Sequence, residues 1–245
     1  MNAVWSDLTQ SPQLSSGEVH VWLAHLPSAS IHFNDYSSVL SAEEQSRGGR
    51  FRFELHRERW MISRGILRML LSRYLGAQAR ELGFDYNAHG KPSLREPGAP
   101  DFHFNASHSG DYAAFAFTRA GAVGVDIESV RAEMPQAEDI ARRFFAPGER
   151  EQLLALPPGE RTRAFYQLWT CKEAFVKAKG DGLFSGLDRF EVAVSSSRLL
   201  TVDGAPAGDW WMTALPEVPG LAGGLVVAAS QCSPRFLRWS ESFRA

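Results

Sequence analysis

The sequence predicts an α+β fold with antiparallel sheet, divided into two halves. Three observations carry this. Strand-like and helix-like stretches are mixed along the chain. Two apolar strands, at 112–118 and 123–128, are separated by a turn at Gly121, as in a hairpin. Two long helical stretches, at 56–75 and 161–179, lie on either side of that hairpin. The boundary is placed there, giving an N-terminal half, 1–119, and a C-terminal half, 120–245.

Composition narrows the functional classes. An apolar share of 44% is ample for a core. A net charge of -2 gives no global reason to bind nucleic acid or an anionic membrane. Cys171 and Cys232 are too few for a disulfide framework and fit a reducing compartment. No apolar run approaches the roughly 20 residues needed to span a bilayer, and the N-terminus lacks the basic start and apolar stretch of a signal peptide. A cytoplasmic protein is expected.

Each element follows from local pattern. The apolar run at 19–26 reads as a strand. Ser41 and Glu44 have the spacing of a capping box, so a helix starts there. In the stretch 56–75, Ile62, Ile66, Leu67, Met69 and Leu70 share one face, and Gly76 ends it. Residues 87–92 form a turn, and 95–101, rich in Pro and Gly, form a loop. Residues 102–105 alternate like a short strand, and 105–110 read as a polar loop before the strand at 112–118. The second half is expected to hold a helix at 137–145, a short one after Pro147, the helix at 161–179, and strands at 190–194, 210–215 and 224–229.

Two acidic motifs carry most of the chemistry. In Gly124-Val125-Asp126-Ile127-Glu128, residues two apart point the same way, so Asp126 and Glu128 share a face. On its own this pattern is more often a solvated strand edge. The run before it is apolar on both faces, however, and carboxylates at the end of such a strand are costly unless paired or metal-bound. In the second motif, Trp169, Glu173 and Lys177 form one helical stripe. Taken alone, Glu173 and Lys177 are a surface ion pair. Together the motifs supply carboxylates and lysines suited to Mg2+-assisted chemistry on a phosphate. Cys171 reads as a small buried thiol. Lys172, about 100° round the helix, is expected to face substrate or an acidic partner. Arg57, Arg64 and Arg68 form a stripe that either grips phosphate or is a solvated face.

In order and spacing these pieces resemble the 4′-phosphopantetheinyl transferases of the Sfp type. The matching stretches are Gly90-Lys91-Pro92, Phe104-Asn105-Ala106-Ser107-His108-Ser109-Gly110, the acidic strand, and Trp169-Thr170-Cys171-Lys172-Glu173-Ala174-Phe175-Val176-Lys177. The resemblance covers roughly 40–187. It implies two similar halves in pseudo-twofold arrangement, with the active site between them. It implies Mg2+ as cofactor, coenzyme A as co-substrate, and an apo acyl or peptidyl carrier protein as acceptor, such as those of polyketide and nonribosomal peptide synthesis. Asp126, Glu128 and Glu173 would hold the metal. Glu173 and Lys177 would be catalytic, Lys177 meeting the pyrophosphate. Gly90, Lys91, Pro92, Asn105 and Ser107 would line the nucleotide site, with His108 and Arg57 at the 3′-phosphate. With both halves in one chain, a monomer is expected. A Mg2+-dependent nucleotide pyrophosphate hydrolase and a non-catalytic coenzyme A or carrier-binding module are the alternatives.

Overall fold

The computed structural model describes residues 3–8, 11–95, 101–132, 134–182 and 186–240. A two-residue strand, β1 (Ser6–Asp7), precedes β2 (Glu18–His25), the expected first strand. Two helices follow that were not foreseen, α1 (Leu26–Ala29) and α2 (Phe33–Ser38). Neither is long enough to show a full amphipathic period. Helix α3 (Ala42–Gly48) starts as its capping box requires: Ser41 accepts from the Glu44 N–H at 3.2 Å, and Glu44 accepts from the Ser41 N–H at 2.9 Å. Helix α4 (Glu54–Leu75) ends at Gly76, which takes a φ of +67°. A small hairpin, β3 (Phe84–Tyr86) with β4 (Pro92–Leu94), carries the turn at 87–91. Of the loop expected at 95–101, residues 96–100 lie outside the described residues.

Next come β5 (His103–Ser109), β6 (Tyr112–Thr118) and β7 (Val123–Ser129). Strand β5 corrects the sequence reading, which placed a loop at 105–110. Its residues pair antiparallel with β6 from His103 through Ser109. Polar side chains there do not break the strand, because they serve the neighbouring β7, as shown below. The second half holds α5 (Ala137–Phe144), α6 (Pro147–Ala155) and α7 (Pro158–Lys179), the last ended by Gly180 at φ +79°. Strands β8 (Phe190–Ala193), β9 (Arg198–Val202), β10 (Ala205–Pro206), β11 (Trp211–Ala214), β12 (Leu221–Val227) and β13 (Ser233–Arg238) complete the chain.

The main sheet has the order β1-β13-β2-β6-β5, and a second sheet has the order β11-β12-β7. Pairing is mostly antiparallel; β13, from the far end of the chain, enters the first sheet parallel to β2. Alternation along the strands sorts the cores. Trp22, Ala24, Phe115 and Phe117 pack with Ile62, Ile66 and Leu70 of α4. Val21, Leu23, Ala114 and Ala116 face Val123, Val125, Ile127 and Leu225 between the sheets. Ala222 and Val226 pack under Phe165, Ala174 and Phe175 of α7. The layers run helix, sheet, sheet, helix. Among the described residues, no helix is long and apolar enough to cross a membrane.

Candidate active site

The seat of α7 is set by glycines. On β7, Val123, Val125 and Ile127 are in the inter-sheet core, so Gly124, Asp126 and Glu128 turn the other way, toward α7. A Cβ at Gly124 would overlap the Ala174 carbonyl and come within 2.5 Å of the Ala178 nitrogen. A Cβ at Gly224, paired opposite Asp126, would come within 2.7 Å of the Cys171 Cα. The helix backbone therefore lies directly on the two strands, which brings Glu173 and Lys177 beside Asp126.

Lys177 Nζ sits 2.6 Å from Asp126 Oδ1 and donates to Ser107 Oγ at 3.0 Å. Ser107 Oγ in turn donates to Asp126 Oδ1 at 2.8 Å, and Ser109 Oγ donates to Glu128 Oε2 at 2.7 Å. Among the described residues, three buried carboxylate oxygens have no hydrogen-bond partner: Asp126 Oδ2, Glu173 Oε1 and Glu173 Oε2. Glu173 is 3% exposed. Its burial, followed by the charge of Asp126, pushes its pKa up to about 7, with Lys177 opposing. Burial also raises Glu128, against the bond from Ser109.

Glu173 and Lys177 form one wall of a cavity of about 230 Å³, with Gly90, Lys91, Pro92 and Asn105 opposite. The turn carrying Lys91 is held by Asn87 Oδ1, which accepts from the His89 and Lys91 N–H groups. Lys91 Nζ donates to three carbonyls, those of Val123 (3.2 Å), Lys177 (2.6 Å) and Ala178 (2.9 Å). It thus ties the turn to the end of α7, and burial lowers its pKa to about 8. His89, which the motif reading passed over, also lines the cavity.

His108 lies on the face of β5 opposite Ser107 and is exposed. Desolvation of its ring, then Lys177, lower its pKa; Asp126 opposes, and His56 of α4 adds to the lowering.

The stripe divides. Arg64 and Arg68 both pair with Glu44, Arg68 at 2.6 Å, and Arg68 also donates to the carbonyls of Ala79 and Leu82. Arg57 pairs with Glu54 at 2.5 Å and lines a separate cavity near Phe33 and Met61, so it is not brought to the other candidates. Lys172 corrects the reading that faced it outward. It is fully buried, 2.6 Å from an equally buried Glu149, and it donates to the Phe190 carbonyl. Glu149 also accepts from the N–H groups of Ala146 and Val192, so the pair fastens α6 and β8 to α7. Cys171 is buried, with its thiol pKa raised by burial to about 11, as an inert thiol should be. Trp169 packs against Phe165, ring centroids 6.2 Å apart.

The donor set fits a hard divalent cation. Partnerless carboxylate oxygens are costly to bury and are what such an ion requires. Among the described residues no three acidic, imidazole or thiol groups stand close enough together to hold an ion by themselves.

The chain is similar to known proteins over most of its length. Residues 122–226 match the family model of the 4′-phosphopantetheinyl transferase superfamily, and residues 26–119 match that of the 4′-phosphopantetheinyl transferase N-terminal region. The chain is 35% identical over 233 residues to the 4′-phosphopantetheinyl transferase HetI of Nostoc sp., covering 95% of this chain and 97% of that one. It is 33% identical over 168 residues to the 4′-phosphopantetheinyl transferase Sfp of Bacillus subtilis, covering 69% and 72%. It is 32% identical over 190 residues to the human L-aminoadipate-semialdehyde dehydrogenase-phosphopantetheinyl transferase, covering 70% and 61%.

Proposed function

Because the chain belongs to the 4′-phosphopantetheinyl transferase superfamily, we propose that it moves the 4′-phosphopantetheine arm of coenzyme A onto a serine of an apo carrier protein, with Mg2+, releasing 3′,5′-ADP. The observation that carries this reading is the trio of buried, partnerless carboxylate oxygens on Asp126 and Glu173, beside Lys177. Asp126, Glu128 and Glu173 would hold the ion, which would supply positive charge against the diphosphate.

The rest falls to the chain's own residues. Serine attack on phosphorus requires loss of the serine proton. Glu173, buried beside Asp126 and Lys177, is placed to take that proton, directly or through a water. Lys177, one turn on, stabilises the charge left on 3′,5′-ADP. His108, held neutral when unliganded, gains a proton against the 3′-phosphate. Lys91 and Asn105 shape the nucleotide wall through the bonds they make to α7 and β7. One chain supplies both walls of the cleft, which supports a monomer, and two unpaired thiols suit the cytoplasm.

The test is to incubate the protein with Mg2+, coenzyme A and a panel of apo carrier proteins, and to weigh the carriers intact. Phosphopantetheine added to a carrier serine is expected. Coenzyme A cleaved with no carrier modified would instead favour a pyrophosphate hydrolase, and neither outcome a binding module.

A further inference from the structure

Strands β5 and β7 are edges of two different sheets, and no backbone ladder joins them. Side chains do so instead. Asn105 Oδ1 accepts from the Val125 N–H at 2.9 Å, Ser107 Oγ from the Ile127 N–H at 3.4 Å, and Ser109 Oγ from the Ser129 N–H at 3.0 Å. The sequence separation is 20 at every rung, so the two strands run in step.

A serine hydroxyl has one proton and two lone pairs. Each serine rung uses a lone pair for a β7 N–H and its proton for a β7 carboxylate. Ser107 donates to Asp126, and also accepts from Lys177. For Ser109 the choice is between Glu128 Oε2 at 2.7 Å and Ser129 Oγ at 3.5 Å, and the shorter contact takes the proton. The Asn105 rung holds backbone only, and the β7 residue beside it is Gly124, which has no carboxylate. Serines therefore stand at the two rungs where a carboxylate must be aimed. The end torsion of Asp and Glu is soft, so a bond to one oxygen is what fixes where the other points.

We propose that Ser109 is a positioning residue: through one hydroxyl it locks β7 to β5 and orients Glu128 toward the cation, with Ser107 doing the same for Asp126. This rests on the Mg2+ reading above. Outer partners of this kind set metal affinity by roughly 10–100-fold.

The test uses Mn2+ as probe, its binding to the metal-free protein followed by electron paramagnetic resonance, alongside the thermal unfolding midpoint. Ser109→Ala is expected to weaken Mn2+ binding about tenfold or more, and Ser109→Thr, which keeps the hydroxyl, to restore most of it. Asn105→Ala breaks a rung of the same backbone kind, so it lowers the midpoint but leaves Mn2+ affinity within about twofold. Should Ser109→Ala not fold, Ser109→Cys, with a similar shape and a weak donor, carries the same expectation. Wild-type affinity in Ser109→Ala, or an equal loss in Asn105→Ala, overturns the positioning role while Glu173→Gln still abolishes binding. If wild type and Glu173→Gln bind Mn2+ alike, the Mg2+ reading itself fails, and this inference with it.

Discussion

Helices α4 and α7 are each 22 residues long and each end at a left-handed glycine, yet Arg64 and Arg68 on the first and Glu173 on the second are held in opposite ways. On α4, Arg64 and Arg68 converge on Glu44, and Arg68 adds two carbonyls, although its side chain is only 2% exposed. These two buried guanidinium groups are answered from within the fold. On α7, Glu173 is as deeply buried, but neither of its oxygens has a partner, and Asp126 beside it adds a third orphan. Both helices present a stripe of charge to a reader of the sequence. The difference teaches that a satisfied buried charge marks architecture, whereas an unsatisfied one marks chemistry. Fixed partners stabilise a fold, while a site that receives a cation must bear strain without it.

The comparison can be broken most forcefully at the glycines on which the helices rest. Gly124→Ala drives a Cβ into the α7 backbone. It is expected to cost about 3 kcal/mol or more in stability and to abolish transfer, read by chemical unfolding and the carrier assay. Gly65→Ala, which presses α4 against the backbone of Tyr36, is expected to destabilise similarly while the folded fraction still transfers. Equal activity loss per folded molecule in both would erase the distinction between the helices.

A comparable effect is expected from pH. The carboxyl of Glu173 rises from 4.5 to about 7, so between those values the folded, metal-free chain keeps a proton that the unfolded chain releases. Its contribution to stability is complete below pH 4.5 and is lost as pH rises to about 7. His20, lowered to about 4 by burial, tilts stability the other way between 4 and 6.5. Subtracting the curve of Glu173→Gln from that of wild type removes the histidine contribution. The advantage of the variant should grow by about 3 kcal/mol across the window, and a flat difference would mean that Glu173 is ionised throughout.

His108→Ala should have the smallest effect, about tenfold weaker binding of coenzyme A, as for one charge-assisted hydrogen bond. Dephospho-coenzyme A should bind wild type and variant alike. If calorimetry finds that the variant still prefers coenzyme A by the wild-type margin, His108 does not meet the 3′-phosphate.

The legible parts of the molecule were those written in local periodicity. The alternation at 123–128 placed Asp126 and Glu128 on one face, the spacing of Glu173 and Lys177 placed them on one stripe, and the box at Ser41 and Glu44 placed the start of α3. What stayed hidden depends on partners far along the chain. Glu44 caps its own helix and also neutralises two arginines 20 and 24 residues away. The polar run at 105–109 read as a loop because its side chains, which serve β7, hide a strand laddered to β6. Lys172 is charged in sequence and yet fully buried, because Glu149 and the Phe190 carbonyl answer it. The strand β13 went unnoticed because its partner β2 lies at the opposite end of the chain.

The sharpest comparison sets Glu173→Gln beside Arg68→Met, measuring carrier modification per folded molecule and the metal-free unfolding free energy of each. Glu173→Gln should transfer roughly 10³-fold more slowly and unfold no more easily than wild type, since it removes a buried charge without a partner. Arg68→Met should transfer at the wild-type rate and lose about 3–5 kcal/mol, since it leaves Glu44 short of one of its buried partners. A folded Glu173→Gln that modifies the carrier at near the wild-type rate would show that the orphaned carboxylate is not where the chemistry lies.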